Sequence, residues 1–296
     1  MKSTGAMIKL IGSMVIFGSI GLFVRYIPLP SSVVALVRAF IGVIFLILVL
    51  IAKRSKLSWQ AIKTNAIYLI LSGAAIGFNW ILLFESYRFT SVAVSTLCYY
   101  MAPIIVTILS PLILKERLTT KRFICVMAAL SGMIFISGIF RINAMQNTTL
   151  TGVAFGLAAA MLYASAILLN KKMRGISAMD RTVCQLLVAA VVLFPYNFVT
   201  VDIAPLTITP WTFVLLAVIG IVHTGFAYYL YFGSMEQLSG QSVAFASYID
   251  PVVAVILSVV ILREPFDIYT AIGAVAILAA AWISELPIAG GIKHGN

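Results

Sequence analysis

Asp250 and His223 are ionisable side chains in the interior of long apolar stretches of the chain. Asp250 lies about ten residues into its stretch, and a carboxylate at that depth in a membrane is costly unless it is paired, protonated or in contact with water. Such a group is suited to exchanging a proton or to facing a cationic substrate. His223 is suited to a proton relay, alone or with Asp250. The structural alternatives are an interhelical hydrogen bond from a protonated Asp250 and a neutral His223 bonded to a backbone carbonyl.

A second group of candidates could bind a substrate through a cation, an amide or an aromatic ring. Arg38 lies several residues into the second apolar stretch. Its guanidinium could hold a substrate carboxylate through two hydrogen bonds, or it could extend to the membrane surface and tie helix ends together. The other candidates for substrate binding are polar or aromatic: Asn79, Trp80, Tyr99, Tyr100, Tyr228 and Tyr248. These side chains suit an amine or an aromatic ligand, and ordinary packing is their alternative role.

No arrangement typical of an enzyme or a metal centre is evident in the sequence. Cys98, Cys125 and Cys184 all lie in apolar stretches, and an odd number of cysteines in such positions argues against a disulfide framework. The sequence also lacks paired catalytic aspartates, a Ser–His set and the spacing of a metal-ligand cluster. We therefore predict a protein that is not an enzyme and that needs no metal or cofactor.

The composition places these candidates inside a membrane. Of the 296 residues, 62% are hydrophobic and 10% are charged, and the mean hydropathy is +1.10. A soluble domain carries about 25% charged residues, so this chain has too few charges to cover a solvated surface. The net charge of +11 comes from basic residues in short runs between apolar stretches, which indicates membrane orientation and no nucleic-acid partner.

Ten stretches are long enough to be membrane-spanning helices, each of which needs about 20 apolar residues. The predicted spans lie at 7–27, 31–52, 64–84, 90–114, 122–140, 151–170, 182–201, 210–232, 240–262 and 267–286. With the N-terminus inside, fifteen Lys and Arg residues lie on the inner side and four on the outer side. This bias predicts a multi-pass plasma-membrane protein with both termini in the cytoplasm.

The chain also contains an internal repeat. Around the fourth and ninth spans, a shift of 148 residues aligns prolines, tyrosines and acidic residues: Pro103 with Pro251, Tyr100 with Tyr248, and Glu116 with Glu264. The halves are residues 1–146 and 147–296, with five predicted helices each. Because five is odd, the second copy enters the membrane from the opposite side. Inverted repeats of this kind enclose a central site that opens alternately to each side. Chance similarity among Leu-rich helices is the alternative.

Pro103 and Pro251 mark the predicted position of that site. Neither proline can donate a backbone hydrogen bond, so the carbonyls of Tyr99 and Ser247 are released near the middle of their helices. Interrupted helices at matching positions of two repeats are the best sequence pointer to a binding region in a membrane carrier. A simple packing kink is the alternative interpretation.

The sequence resembles the drug/metabolite transporter superfamily, and in particular its EamA family. The resemblance covers nearly the whole chain. It rests on Phe17-Gly18, on Arg38, and on a pattern in the fourth span that the ninth repeats: Ser91, Ala102-Pro103 and Leu114-Lys115-Glu116-Arg117-Leu118, echoed by Ser239, Pro251 and Leu262-Arg263-Glu264-Pro265. The resemblance implies a central cavity lined by spans 1–4 and 6–9, with spans 5 and 10 at the edge.

Together these features predict an all-α integral membrane protein, with ten transmembrane helices in two inverted five-helix repeats around a central cavity. Its predicted function is secondary active transport of small polar metabolites of the amino acid or amine type by alternating access, with proton coupling as one interpretation. The alternatives are a multidrug or toxic-compound exporter of the same family and a passive channel. The expected partners are a small-molecule substrate, the lipid bilayer and protons, and both a monomer and a homodimer are compatible with the sequence.

Overall fold

The computed structural model describes residues 2–114, 119–136, 147–202, 208–235, 237–238 and 240–286. Within these ranges the regular structure is helical and contains no strand. The elements are α1 (Lys2–Arg25), α2 (Ser31–Ala52), α3 (Trp59–Thr64), α4 (Ala66–Phe89), α5 (Val92–Tyr99), α6 (Ala102–Ile113), α7 (Thr120–Ile136), α8 (Asn147–Lys172), α9 (Ala178–Thr200), α10 (Pro210–Gly220), a π-helical turn (Ile221–Phe226), α11 (Ala227–Met235), α12 (Gly240–Ser247), α13 (Ile249–Val260) and α14 (Ile268–Glu285). Residues 115–118 and Ser239 of the repeated motif lie outside the described residues.

Seven candidate membrane spans occur in the described part of the chain. They are Thr4–Arg25, Ser31–Ala52, Ala66–Phe89, Val92–Ile113, Thr149–Lys172, Ala178–Thr200 and Pro210–Ser234. Two further apolar helices, Ile249–Val260 and Ile268–Ser284, are shorter than a full span. The architecture is therefore that of a multi-pass, all-helical membrane protein, and the count of ten spans stays a prediction.

The outer surface of the bundle is apolar, as a lipid-facing surface must be. Leu112 is 80% exposed, Val199 is 81% exposed and Val275 is 70% exposed. A soluble protein rarely leaves so many large hydrophobic side chains uncovered. The small and apolar residues of the interior form packed clusters, the largest of which joins α1, α2, α4, α9 and α10.

The helical segments that contain Pro103 and Pro251 are interrupted near the cavity. In the fourth predicted span the chain turns at Tyr100 and Met101, between α5 and α6, and Pro103 lies in the first turn of α6. In the ninth span the chain turns at Tyr248, between α12 and α13, and Pro251 lies in the first turn of α13. Proline is favoured in a first helical turn, where its missing N–H interrupts no hydrogen bond within that helix.

A π-helical turn, Ile221–Phe226, interrupts the eighth predicted span. The hydroxyl of Thr224 donates to the carbonyl of Ile219, five residues earlier, at 3.0 Å. A side chain therefore supplies a hydrogen bond to a backbone carbonyl where the helix widens. The turn lies against α2 at close range, because a Cβ added to Gly42 would lie 2.6 Å from Cγ2 of Thr224. Widened turns of this kind occur often at functional sites.

Helix packing pairs the two halves of the chain in a reciprocal way. α1 packs on α11 and α13, while α8 packs on α4 and on α5 and α6. α2 packs on α9, and α7 packs on α14. By the shift of 146 to 148 residues, α1 corresponds to α8, α2 to α9, α4 to α10 and α11, α5 and α6 to α12 and α13, and α7 to α14. With these correspondences the packed pairs map onto one another. The cavity lies where α1, α4, α5, α8, α11 and α13 meet.

Candidate functional site

A cavity of about 210 Å³ lies in the centre of the bundle. Its described lining residues come from α1, α2, α4, α5, α8, α11, α12 and α13 and from Tyr100 in the turn after α5. These elements correspond to predicted spans 1–4, 6, 8 and 9. The expected contribution of span 7 is not found, since α9 supplies none of the described lining residues.

Arg38 of α2 supplies the cation of the cavity. Its Nε donates to Oγ1 of Thr224 at 2.8 Å, and its Cζ lies 4.0 Å from the ring centroid of Trp80. No acidic side chain lies within ion-pair distance of Arg38 among the described residues. Arg38 is only 6% exposed and lines the cavity, and its Nη1 and Nη2 make no hydrogen bond to the described part of the protein, so they remain available to a ligand. A buried guanidinium with an unused edge is suited to binding a carboxylate through two parallel hydrogen bonds.

Asp250, in the first turn of α13, supplies the acid. Its Oδ2 accepts a hydrogen bond from the hydroxyl of Tyr100 at 3.0 Å. The same hydroxyl lies 3.0 Å from the carbonyl oxygen of Ser247, which Pro251 has left without its helical donor. A hydroxyl has one proton, so these two acceptors share it. No Lys, Arg or His lies within ion-pair distance of Asp250 in the described ranges.

Gly18 brings α1 into backbone contact with α13 beside this acid. A Cβ on Gly18 would collide with the backbone oxygen of Asp250 and would lie 2.9 Å from Cβ of Val253. The position therefore requires glycine on steric grounds. This contact gives the Phe17-Gly18 motif a structural meaning that the sequence alone did not provide.

Aromatic rings form much of the remaining wall. Tyr99 stacks on Tyr163 with centroids 5.1 Å apart, and Phe17 packs on Tyr228 with centroids 5.3 Å apart. These faces can hold an ammonium group or an apolar side chain of a ligand.

Asn79 lines the cavity, but its amide is used within the protein. The Nδ2 group donates to the carbonyl of Ala159 at 2.5 Å, and Oδ1 accepts from the hydroxyl of Tyr99 at 3.4 Å. The side chain is 1% exposed. Asn79 thus joins α4 to α8 and orients Tyr99.

His223 and Tyr248 are not among the described residues that line the cavity. His223 is 2% exposed, its Nε2 lies 3.0 Å from Oγ of Ser19, and its Nδ1 lies 3.3 Å from the carbonyl oxygen of Val218. No hydrogen bond or ion pair joins His223 to Asp250 within the described part of the chain. The ring of Tyr248 lies behind that of Tyr100, with centroids 6.4 Å apart.

Several lining residues were not predicted from the sequence, namely Met14, Tyr87, Thr96 and Tyr163. The internal repeat contains a signal for one of them, because a shift of 146 residues relates Phe17 to Tyr163. Applied to the lining residues, the shift of 148 residues pairs Trp80 with Tyr228, Leu83 with Tyr231 and Tyr99 with Ser247. Equivalent positions of the two halves therefore face one cavity.

Long apolar helices around a polar central cavity define the class of this molecule as a multi-pass membrane protein. The EamA-like transporter family matches residues 4–138 of the chain and, a second time, residues 150–285. The chain therefore belongs to the EamA-like transporter family, which is part of the drug/metabolite transporter superfamily, and is a membrane transporter.

Three transporters of Bacillus subtilis strain 168 that are described as uncharacterized are similar to this chain. YxxF is 31% identical over 94% of this chain and 88% of its own length. YoaV is 27% identical over 86% of this chain and 87% of its own, and YetK is 26% identical over 96% and 88%. A solved structure titled only as the crystal structure of a protein has a TM-score of 0.64 at 15% identity, over 95% of this chain and 96% of its own. That likeness shows a shared fold.

Proposed function

We propose that this protein is a secondary transporter that moves a small polar metabolite, of the amino acid or amine type, across the plasma membrane by alternating access. The observation that carries the proposal is the pair of opposite charges in one small cavity. Arg38 and Asp250 both line it, and neither is neutralised by a direct ion pair with the other.

The charge arrangement favours a ligand with a carboxylate, an ammonium group or both. The free edge of Arg38 would hold a carboxylate. Asp250 and the rings of Tyr99 and Tyr228 would face an ammonium group. Each buried charge would then have a group of opposite charge on the ligand as its partner. This pairing offsets part of the free-energy cost of burying the charge.

The cavity volume favours a metabolite over a drug. Pockets for drug-sized ligands occupy about 300–1,000 Å³, and this cavity occupies about 210 Å³. A multidrug exporter is therefore a weaker proposal than a carrier for a small solute.

Alternating access between two inverted five-helix repeats, 1–146 and 147–296, is the proposed mechanism. Three observations support it: the family matches the chain twice, the packing of the helices is reciprocal, and the lining residues of the cavity are related by the repeat. Two copies of one fold that face opposite ways can exchange conformations and open the site to each side in turn.

We further propose that Asp250 exchanges a proton or faces a cation during transport. Its carboxylate accepts one hydrogen bond, shared with the carbonyl of Ser247, so its charge is only partly compensated by the protein. The contacts of His223 with Ser19 and Val218 favour a role in holding α1 against the π-helical turn.

A ligand screen followed by a flux assay tests the proposal. The purified protein is first screened by thermal shift against amino acids, amines, polyamines and nucleosides, because a ligand of the folded state raises the melting temperature. Flux of each hit into proteoliposomes is then measured from pH 5 to pH 8. We expect Asp250→Asn to lose the dependence of transport on pH, while Glu85→Gln behaves as the wild type. A pH profile of Asp250→Asn that matches the wild-type profile in rate and in shape would remove the coupling role of Asp250.

A further inference from the structure

Glu264 joins the two halves of the protein at one end of the bundle. It lies in the loop between α13 and α14, yet its Oε2 accepts a hydrogen bond from the backbone N–H of Val92, the first residue of α5, at 2.8 Å. The same oxygen accepts from the hydroxyl of Ser258 at 2.5 Å. The other carboxylate oxygen, Oε1, lies 3.6 Å from Nη2 of Arg25 at the end of α1. The carboxylate therefore connects the second half to two helices of the first.

Arg25 extends this network to Tyr87. Its Nη1 donates to the backbone carbonyl of Tyr87 in the last turn of α4. Glu264 is 9% exposed as a side chain and Arg25 is 38% exposed, so the ion pair is protected on one side and reached by solvent on the other. Pairs of this kind keep more of their strength than fully exposed ones.

Tyr87 separates two cavities. It is the residue common to the described linings of the central cavity and of a cavity of about 490 Å³ at the end of the bundle where α1 ends. We call this end the Arg25 end, and the predicted topology makes it extracellular. Tyr87 is 3% exposed, so it is buried where the two linings meet.

α1 packs closely on this barrier. A Cβ on Gly21 would collide with Cγ1 of Val92 and would lie 3.4 Å from Cζ of Tyr87. The absence of a side chain on Gly21 thus lets α1 close against the corner between α4 and α5.

We propose that Tyr87 is the barrier that closes the central cavity at the Arg25 end, and that Arg25 and Glu264 form a latch that holds it in place. This inference rests on the proposed alternating-access function. Opening at this end must separate the ends of α1, α4 and α5 from the loop that carries Glu264, so the latch must break. The repeated Leu262-Arg263-Glu264-Pro265 motif would then serve in gating rather than in ligand binding.

Access to the cavity from each side of the membrane tests the latch without a known substrate. Thr96 lines the cavity and is close in size to cysteine, so Thr96→Cys is the probe. It is placed in a protein with Cys98→Ala, Cys125→Ala and Cys184→Ser. A membrane-impermeant maleimide is applied to intact cells and, separately, to inside-out vesicles. Labelling of Tyr26→Cys, whose native residue is 55% exposed beside Arg25, identifies the Arg25 end.

In the Glu264→Gln variant we expect the maleimide to label Thr96→Cys roughly tenfold faster from the Arg25 end. The hydrogen bonds and the ion pair of the charged Glu264 favour the closed state by about a factor of ten or more, and the substitution removes this preference. Labelling from the opposite end should stay the same or fall. Arg25→Gln should act in the same direction and serves as the second variant if Glu264→Gln fails to fold. Glu85→Gln is the matched control, because Glu85 bonds Ser31 and Arg88 within the first half only.

The outcomes separate a latch from a purely structural role and from the proposed function. Faster labelling from both ends means a loosened bundle and overturns the latch, as do unchanged rates in both Glu264→Gln and Arg25→Gln. One-sided acceleration supports it. The flux assay is independent, because a carrier without the latch would still transport, and a latch in a protein that carries no tested metabolite would still show one-sided labelling.

Discussion

At the scale of single residues, the candidate site depends on how Arg38 is held. Its guanidinium stacks on Trp80, and its Nε bonds Thr224, so its planar fork has one orientation in the cavity. The positioning residue Thr224 is 186 positions away in the sequence and lies on the π-helical turn. No local pattern could link the two residues. Arg38 was therefore predictable from the sequence as a candidate, whereas Thr224, which orients it, was not.

Removal of the Thr224 hydroxyl tests this orientation. We expect Thr224→Val to weaken binding of a carboxylate-bearing ligand by about tenfold or more, because a hydrogen bond to a charged group contributes roughly 1.5–3 kcal/mol. Binding of the matching amine without the carboxylate should change little. Dissociation constants of such a pair, drawn from the hits of the ligand screen, provide the measurement. Thr224→Ser keeps the hydroxyl and should retain the affinity, and equal losses for both ligands would argue against a role through Arg38.

At the scale of helices, some interruptions of the regular structure could be predicted from the sequence and others could not. Pro103 and Pro251 lie just after the breaks, because each lacks the N–H that would continue the preceding helix. Proline alone does not locate a break, since Pro111 and Pro195 lie inside α6 and α9.

The π-helical turn has no such marker in the sequence, although it packs closely on Gly42 of α2 through Thr224. Apolar length indicated where the seven candidate spans lie but not where they end, since α4 runs to Phe89 and α9 begins at Ala178, beyond the predicted limits of 84 and 182. The short helix Trp59–Thr64 before the third span was not predicted either.

The contact of α1 with α13 gives an element-scale prediction. Gly18→Ala should lower the melting temperature in detergent by several degrees, because overpacking costs about 1–3 kcal/mol. A Cβ added to Gly12, on the same helix, would have nothing within 4 Å, so Gly12→Ala should be neutral or slightly stabilising. Equal melting temperatures for the two variants would mean that α1 does not pack on the backbone of Asp250 as described.

At the scale of the whole molecule, the family matches the chain twice, and the proposed repeat would account for the central position of the site. Residues of one half gain their partners from the other half, and the cavity forms where equivalent positions meet. The repeat and the family were accessible from the sequence because they depend on aligned residue types. The lining residue Tyr87 was not, since its role depends on where α1, α4 and α5 end relative to the loop with Glu264. Composition and motifs thus indicated a transporter, while the barrier and the orientation of Arg38 required the tertiary structure.

Solute counterflow tests the central claim most directly, because it distinguishes a carrier with a saturable central site from a channel. Proteoliposomes are loaded with a millimolar excess of an unlabelled ligand from the screen and diluted into a trace of the same ligand in labelled form. We expect the label to accumulate transiently above its equilibrium level, and we expect Arg38→Gln to abolish this overshoot while it stays folded. Uptake that rises without an overshoot and without saturation, or an overshoot that Arg38→Gln leaves intact, would contradict a carrier that binds its substrate through Arg38 in the central cavity.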